Sequence, residues 1–173
     1  MATTKKRADA QTRNQDKAEQ TEMESISAIH LLEEDHQEVE CFFDEYENLE
    51  DAGEKESMAL KICLALTVHT QIEEEIFYPA VREAIERPEL IDEAIVEHAS
   101  AKQLIAEIEE MDAGDELYDA KVKVLGEQVL HHVEEEEDEL FPEIESSELD
   151  LEALGKKIAE RKAALLRETA TEK

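Results

Sequence analysis

The chain has 173 residues, enough for one domain with a sizeable core. It carries 48 acidic against 18 basic residues, a net charge of −30, so nucleic acid and anionic membrane surfaces are poor partners for its body. No apolar run reaches the roughly 18 residues of a membrane span, and there is no secretory apolar segment near Met1.

Hydrophobic content of 41% is sufficient for folding, and only 4 Gly and 3 Pro favour helices throughout. Cys41 and Cys63 form neither a CxxC motif nor a disulfide framework; free thiols in a reducing, cytoplasmic setting are expected. Residues 1–21 lack large apolar residues after Met1 and carry 5 basic against 3 acidic side chains. They read as a disordered tail.

The first helix is expected to begin near Thr21, where Thr21 and Glu24 make a capping box. Its apolar stripe is Ile29, Leu32, His36, Val39, Phe43 and Tyr46, which places His36 among core positions. Asp51 to Glu54 reads as a helix stop and turn. The second helix is expected over about Lys55–Ile85, with Met58, Ile62, Ala65, His69, Ile72 and Ile76 inward and Glu73 on the inward edge. Pro79 should kink it or restart it as a short extension.

A third helix, from about Glu89 to Met111, aligns Ile91, Ala94, His98, Ala101, Ile105 and Ile108. Asp112 to Asp115 echoes the earlier turn. The fourth helix runs from about Glu116 to Leu140, and its ladder Tyr118, Val122, Leu125, Val129 leads to His132 and then Glu136. Ser146 and Ser147 read as the cap of a last helix, Glu148 to about Arg167, with a basic second half.

The polar members of these stripes repeat. His69 to Pro79 reads HTQIEEEIFYP and His132 to Pro142 reads HVEEEEDELFP, 63 residues apart. One His-x-x-x-Glu alone is equally well a solvated acidic helix end. Its recurrence, each time after a single stripe histidine (His36, His98), makes the chain two copies of one unit. An unpaired carboxylate on a core-facing stripe needs a cation or donors. In an antiparallel bundle of four such helices the four histidines reach one level. Glu73 and Glu136 lie about 6 Å further along their helices, at 1.5 Å per residue. Six side chains suit two ions sharing carboxylates, and imidazole with carboxylate admits Fe, Mn or Zn.

These motifs resemble those of the hemerythrin-like, or HHE cation-binding, domain. The residues concerned are Leu32-Glu-Glu-Asp-His36, His69-x-x-x-Glu73 with Phe77-Tyr-Pro79, Glu97-His98, and His132-x-x-x-Glu136 with Leu140-Phe-Pro142. The resemblance implies an all-α, up-down four-helix bundle over residues 22–145, preceded by the disordered tail 1–21 and followed by an extra C-terminal helix and tail at 146–173. It implies a carboxylate-bridged, oxo-bridged pair of iron ions. His36, His69, His98 and His132 would be terminal ligands and Glu73 and Glu136 the bridges, with dioxygen, nitric oxide or peroxide binding at open positions. The expected roles are sensing or storage in oxidative or nitrosative stress, with peroxide decomposition or iron handling as alternatives and a redox partner possible.

The sequence departs from oxygen-carrying hemerythrins at Lys102, where they have a second third-helix histidine, and at Glu136, where they use His-x-x-x-x-Asp. Lys102 could stay outside or line the vacant metal face. His131 is the alternative to His132, although the stripe selects His132. His30 is expected at the surface, and Cys41 and Cys63 as packing residues. Tyr46, Tyr78 and Tyr118 sit roughly 13 Å or more along the axis from their own helix's histidine. A tyrosine at the site is therefore not expected unless a helix is broken.

Overall fold

The structure, a computed structural model, describes residues 26–171. The expected tail and the Thr21–Glu24 capping box lie outside those residues. Among the described residues there is no strand. The long helices are α1 (Ala28–Glu47), α2 (Ala52–Ile72), α4 (Glu89–Glu109), α5 (Tyr118–Glu135) and α7 (Leu151–Thr171). Two five-residue π-helical turns, Glu73–Phe77 and Glu136–Leu140, lead into short helices α3 (Tyr78–Val81) and α6 (Phe141–Glu145).

Several boundaries move from their expected places for local reasons. Helix α1 starts at Ala28, after Ser27 in an extended conformation. The expected turn at Asp51–Glu54 is already helical. Asp51 is the N-cap, its carboxylate accepting from the backbone N–H groups of Gly53 and Glu54. The cap of α7 is not the Ser146–Ser147 pair, whose hydroxyls donate back to the carbonyls of Pro142 and Ile144 and close the preceding helix. Asp150 serves there, accepting from Ala153 N–H at 2.9 Å.

The second and fourth helices do not run through as α-helix. Pro79 and Pro142 have no N–H to donate, and a proline ring in an α-helix collides with the carbonyl four residues back. Here those carbonyls belong to Glu75 and Asp138, inside the widened turns. The bonds that close the turns skip one residue more than in an α-helix, from Tyr78 N–H to the Glu73 carbonyl and from Phe141 N–H to the Glu136 carbonyl. The extra residue shifts the register. Ile76, expected inward, is only half-buried, whereas Phe77 and Tyr78 turn into the core.

Helices α1, α2, α4 and α5 form a ring of neighbours, α1 against α2, α2 against α4, α4 against α5 and α5 against α1. Pairs such as Lys121–Glu107 and Ser100–Gln128 show α4 and α5 to be antiparallel. At one end Tyr46 donates to Asp119 at 2.7 Å, and Lys55 pairs with the same carboxylate. The core is in two parts. One gathers Val39, Phe43, Ile62, Leu66, Ile105 and Leu125. The other gathers Leu32, Ile72, Phe77, Ile91, Phe141 and Ile144. Between them lie the buried polar residues of the histidine level.

Helix α7 is part of this core rather than an appendage. It packs on α1 and α2 and contributes Leu154, Ile158 and Leu165 to the second cluster. Close approach is possible because Gly155 has no side chain: a Cβ there would lie 2.2 Å from the Ile26 carbonyl oxygen. Gly155→Val is therefore expected to lever α7 off α1 and lower stability by about 1–3 kcal/mol, read as a depressed thermal midpoint in circular dichroism.

The cysteines divide. Both are free; Cys41 is exposed, contrary to the packing role expected for it, and Cys63 is buried. Burial, with the nearby charge of Glu109, pushes the Cys63 thiol up to about 12. A thiol reagent at neutral pH should label one cysteine per native chain and two after denaturation. Cys41→Ser should abolish the native reaction.

Candidate metal centre

All six side chains singled out from the sequence are buried, and they meet at one level of the bundle. His36 comes from α1, His69 from the end of α2, His98 from α4 and His132 from the end of α5. Glu73 and Glu136 are the first residues of the two π-turns. Glu73 is 0% and Glu136 2% exposed. The ligand atoms fall into two groups that share Glu73. One is His36, His69, Glu73 and Glu136; the other is Glu73, His98 and His132, each within 4.8 Å of one another. Glu136 also reaches the second group, with His132 Nε2 3.6 Å from its Oε2.

Each imidazole is held from behind by a carboxylate, and the pattern follows the repeat. His36 Nδ1 lies 2.9 Å from Glu137 and His98 Nδ1 3.1 Å from Glu74, the residues that follow the two central glutamates. His132 Nδ1 lies 2.8 Å from Glu97 and His69 Nδ1 3.5 Å from Asp35, the residues that precede the other two histidines. A carboxylate behind Nδ1 places the proton on that nitrogen and turns the Nε2 lone pair inward. For His98 and His132 the two Nε2 atoms are 3.1 Å apart. Two lone pairs that close repel unless a proton or a cation lies between them.

The inner atoms are also short of partners. His36 Nε2, both ring nitrogens of His69, Glu73 Oε1 and Glu136 Oε2 are buried without a hydrogen bond. Unsatisfied buried polar atoms are rare in native proteins, and their clustering at one level fits a site for cations. The electrostatics agree. Burial alone would lower the His69 pKa, but the charge of Glu73, the close carboxylates of Asp35 and Glu73, and the charge of Glu136 hold it up at about 10. Burial would raise Glu73, but His69 and His98 hold it well below the usual carboxylate range.

Sequence reasoning missed one residue of the site. The register shift of the π-turn swings Tyr78 round to the face of Glu73, five residues back. Its hydroxyl donates to Glu136 Oε1 at 2.9 Å and lies 3.4 Å from Glu73 Oε2 and 3.3 Å from His98 Nε2. Burial and the charges of Glu136 and Glu73 push its pKa well above 10, so the phenol keeps its proton. The helix is indeed broken there, and Pro79 was the available signal. The repeat's counterpart, 63 residues on, is Phe141, which stacks on His36 at 5.8 Å between ring centroids. At that position the two halves of the centre differ by one hydroxyl.

The remaining candidates lie outside. Lys102 pairs with Glu74 at 2.6 Å, behind His98. His131 is exposed and faces Glu97 and Glu135, and His30 is exposed beside Glu33 and Glu34. A cavity of about 20 Å³ opens above the imidazoles, between Leu66, Thr70, Ala101 and Val129.

The sequence profile of the hemerythrin HHE cation binding domain matches residues 27–144. The chain belongs to that family. Its fold is similar to the crystal structure of a hemerythrin HHE cation binding domain-containing protein from Mycobacterium kansasii. The TM-score is 0.71 at 21% identity, over 81% of this chain and 87% of that one. The chain is also 29% identical over 116 residues to a protein of Nostoc sp. named DNA nickase, covering 65% of this chain and 32% of the relative. It thus spans about a third of that curated relative's length. Among the described residues no helix is long and apolar enough to cross a membrane.

The raised pKa of His69 sets a pH dependence for the metal-free HHE domain. A metal needs the neutral imidazole, so cation affinity should increase as pH rises from 7 towards about 10, with proton release on binding. Stability of the metal-free chain should run the other way. The contribution of protonated His69 is complete below its ordinary value of 6.5 and is lost as pH passes about 10. Denaturant titrations at pH 7 and 10.5, beside competition assays at pH 7 and 9, test both signs.

Proposed function

We propose that the polar level holds two iron ions bridged by Glu73 and Glu136. His36 and His69 are terminal ligands on one side, and His98 and His132 on the other. The observation that carries this reading is the convergence of inward-facing nitrogens and carboxylate oxygens that no protein donor satisfies. Imidazole with carboxylate and no thiolate suits Fe, Mn or Zn, and two ions sharing carboxylates inside a helical bundle favour Fe or Mn. Bound iron would supply one-electron redox chemistry and open coordination positions.

The small molecule served by this centre is dioxygen, nitric oxide or peroxide. The cavity beside His69, His98 and His132 has room for about one water-sized or diatomic guest. Tyr78 favours turnover of peroxide as the second reading, because it places a buried, protonated hydroxyl against the bridging carboxylates. In either reading Tyr78 orients Glu136 and Glu73 by hydrogen bonding, and Lys102 stays on Glu74, away from the ligand.

The setting is cytoplasmic on this proposal, in keeping with two free thiols. Nucleic acid and membrane surfaces are not proposed as partners of a chain with net charge −30.

Metal analysis with absorption spectra of the anaerobically reduced protein, before and after air, tests the central claim. Two irons per chain and new near-ultraviolet ferric bands are expected. His69→Ala and Glu136→Ala should each lose iron; retention of both ions in either variant would refute the assignment. Tyr78→Phe should still bind two ions, with affinity lower by about 10- to 100-fold as for other groups that orient ligands. Oxygen release from added peroxide, reduced in Tyr78→Phe, would select the turnover reading.

A further inference from the structure

The two halves of the chain treat their outer carboxylates differently. In the first half Asp35, behind His69, is nearly buried and is met by Lys162 of α7. Beside it Val68 and Ile72 are buried. The chain itself thus supplies the cation and seals that side. In the second half the corresponding carboxylate is Glu97, behind His132. The positions 63 residues on from Val68 and Ile72 are His131 and Glu135.

Two apolar residues have become two metal-ligating ones, and they face outward. Glu97 uses Oε2 to accept from His132, which leaves its Oε1 3.9 Å from His131 Nε2. Glu135 Oε1 lies 3.4 Å from the same nitrogen. The ligand atoms of Glu97, His131 and Glu135 all lie within 4.8 Å of one another.

Two members of this cluster, Glu97 and Glu135, border a gap beside the inner residues. The gap, of about 10 Å³, is lined by Glu97 and Glu135 together with His132 and Glu136, between Leu90 and Leu140. Glu136 is 2% exposed and its Oε2 has no hydrogen-bond partner. Glu136, whose buried Oε2 lacks a hydrogen-bond partner, thus lines the same gap as Glu97 and Glu135.

We propose that Glu97, His131 and Glu135 form an outer site for a first-row divalent cation, from which ions pass to the buried centre. The site rests on the reading of that centre as a metal site. One imidazole and two carboxylates suit Fe(II), Mn(II) or Co(II). Their exposure leaves most of the ion's shell to water, so it exchanges quickly. Glu97 is common to both stations: one oxygen belongs to the outer cluster, and the other holds the imidazole of an inner ligand. Transfer needs only exchange of carboxylates, from Glu97 and Glu135 to Glu136, with no change of oxidation state.

Cobalt(II) added to the metal-free full-length chain tests this, with equilibrium dialysis for stoichiometry and stopped-flow absorbance for the rate of filling. The wild type should bind two ions tightly and a third weakly. His131→Ala with Glu135→Gln should end with the same two tight ions, lose the third and fill about tenfold more slowly, the loss expected when local ion concentration falls. His131→Ala alone should show the same effects in weaker form. His30→Ala, which disturbs an equally exposed His–Glu group on α1, should fill at the wild-type rate. A double variant that fills as fast as the wild type, or a His30→Ala variant slowed as much, overturns the outer site. Failure of the wild type to take up tight cobalt overturns the buried centre instead; the outer site is then judged by whether the weak ion disappears in His131→Ala.

Discussion

Two carboxylates taken out of water dominate this structure. Glu73 and Glu136 lie with almost no exposure between two apolar cores. Burying a carboxylate costs several kcal/mol even after relaxation, unless charge and donors compensate. Four imidazoles point at them, four further carboxylates stand behind the imidazoles, and one phenol donates to Glu136. Around this layer the negative groups outnumber the chain's own cations. In the metal-free chain protonated His69 offsets part of this charge; bound cations would offset more of it.

The π-turns connect the sequence to the layer. Each begins on the buried glutamate and ends one residue before an inward aromatic, with a proline next. The widened turn removes the clash the proline would make. It also presents the glutamate and the aromatic five residues later on one face, which an α-helix cannot do. One covalent fact, the missing N–H of Pro79 and Pro142, therefore shapes both halves of the centre. Because one aromatic is Tyr78 and the other Phe141, a duplicated scaffold yields a centre with two unlike ends.

Much of this was legible in the sequence. The buried face of α4 is the six residues its periodicity indicates, and the 63-residue repeat brings the four histidines and two glutamates to one level. What escaped depended on departures from the α-helical rise. The distance along the axis from His69 argues against Tyr78 unless the helix is broken, and the break that Pro79 signals is what brings it in. The docking of α7 escaped for another reason. Its contact is made by the absence of a side chain at Gly155, and periodicity does not register an absence. Cys41 shows the converse error: an apolar-seeming residue in a helix need not face inward.

Sealing and opening are then two uses of one repeated design. On the α7 side, Lys162 on Asp35 and the buried Val68 and Ile72 turn the outer shell into core. On the other side, His131 and Glu135 at the corresponding positions leave it polar and more exposed. A buried dinuclear site needs such a difference. Were both sides sealed, the proposed ions would lose the route past Glu97 and Glu135. Were both open, the unsatisfied atoms of the inner shell would be hydrated from either face, and the low-dielectric surroundings that strengthen their hold on a cation would be lost. The extra helix beyond the matched domain is what makes the halves unequal, and that inequality lets one centre be both dry and accessible.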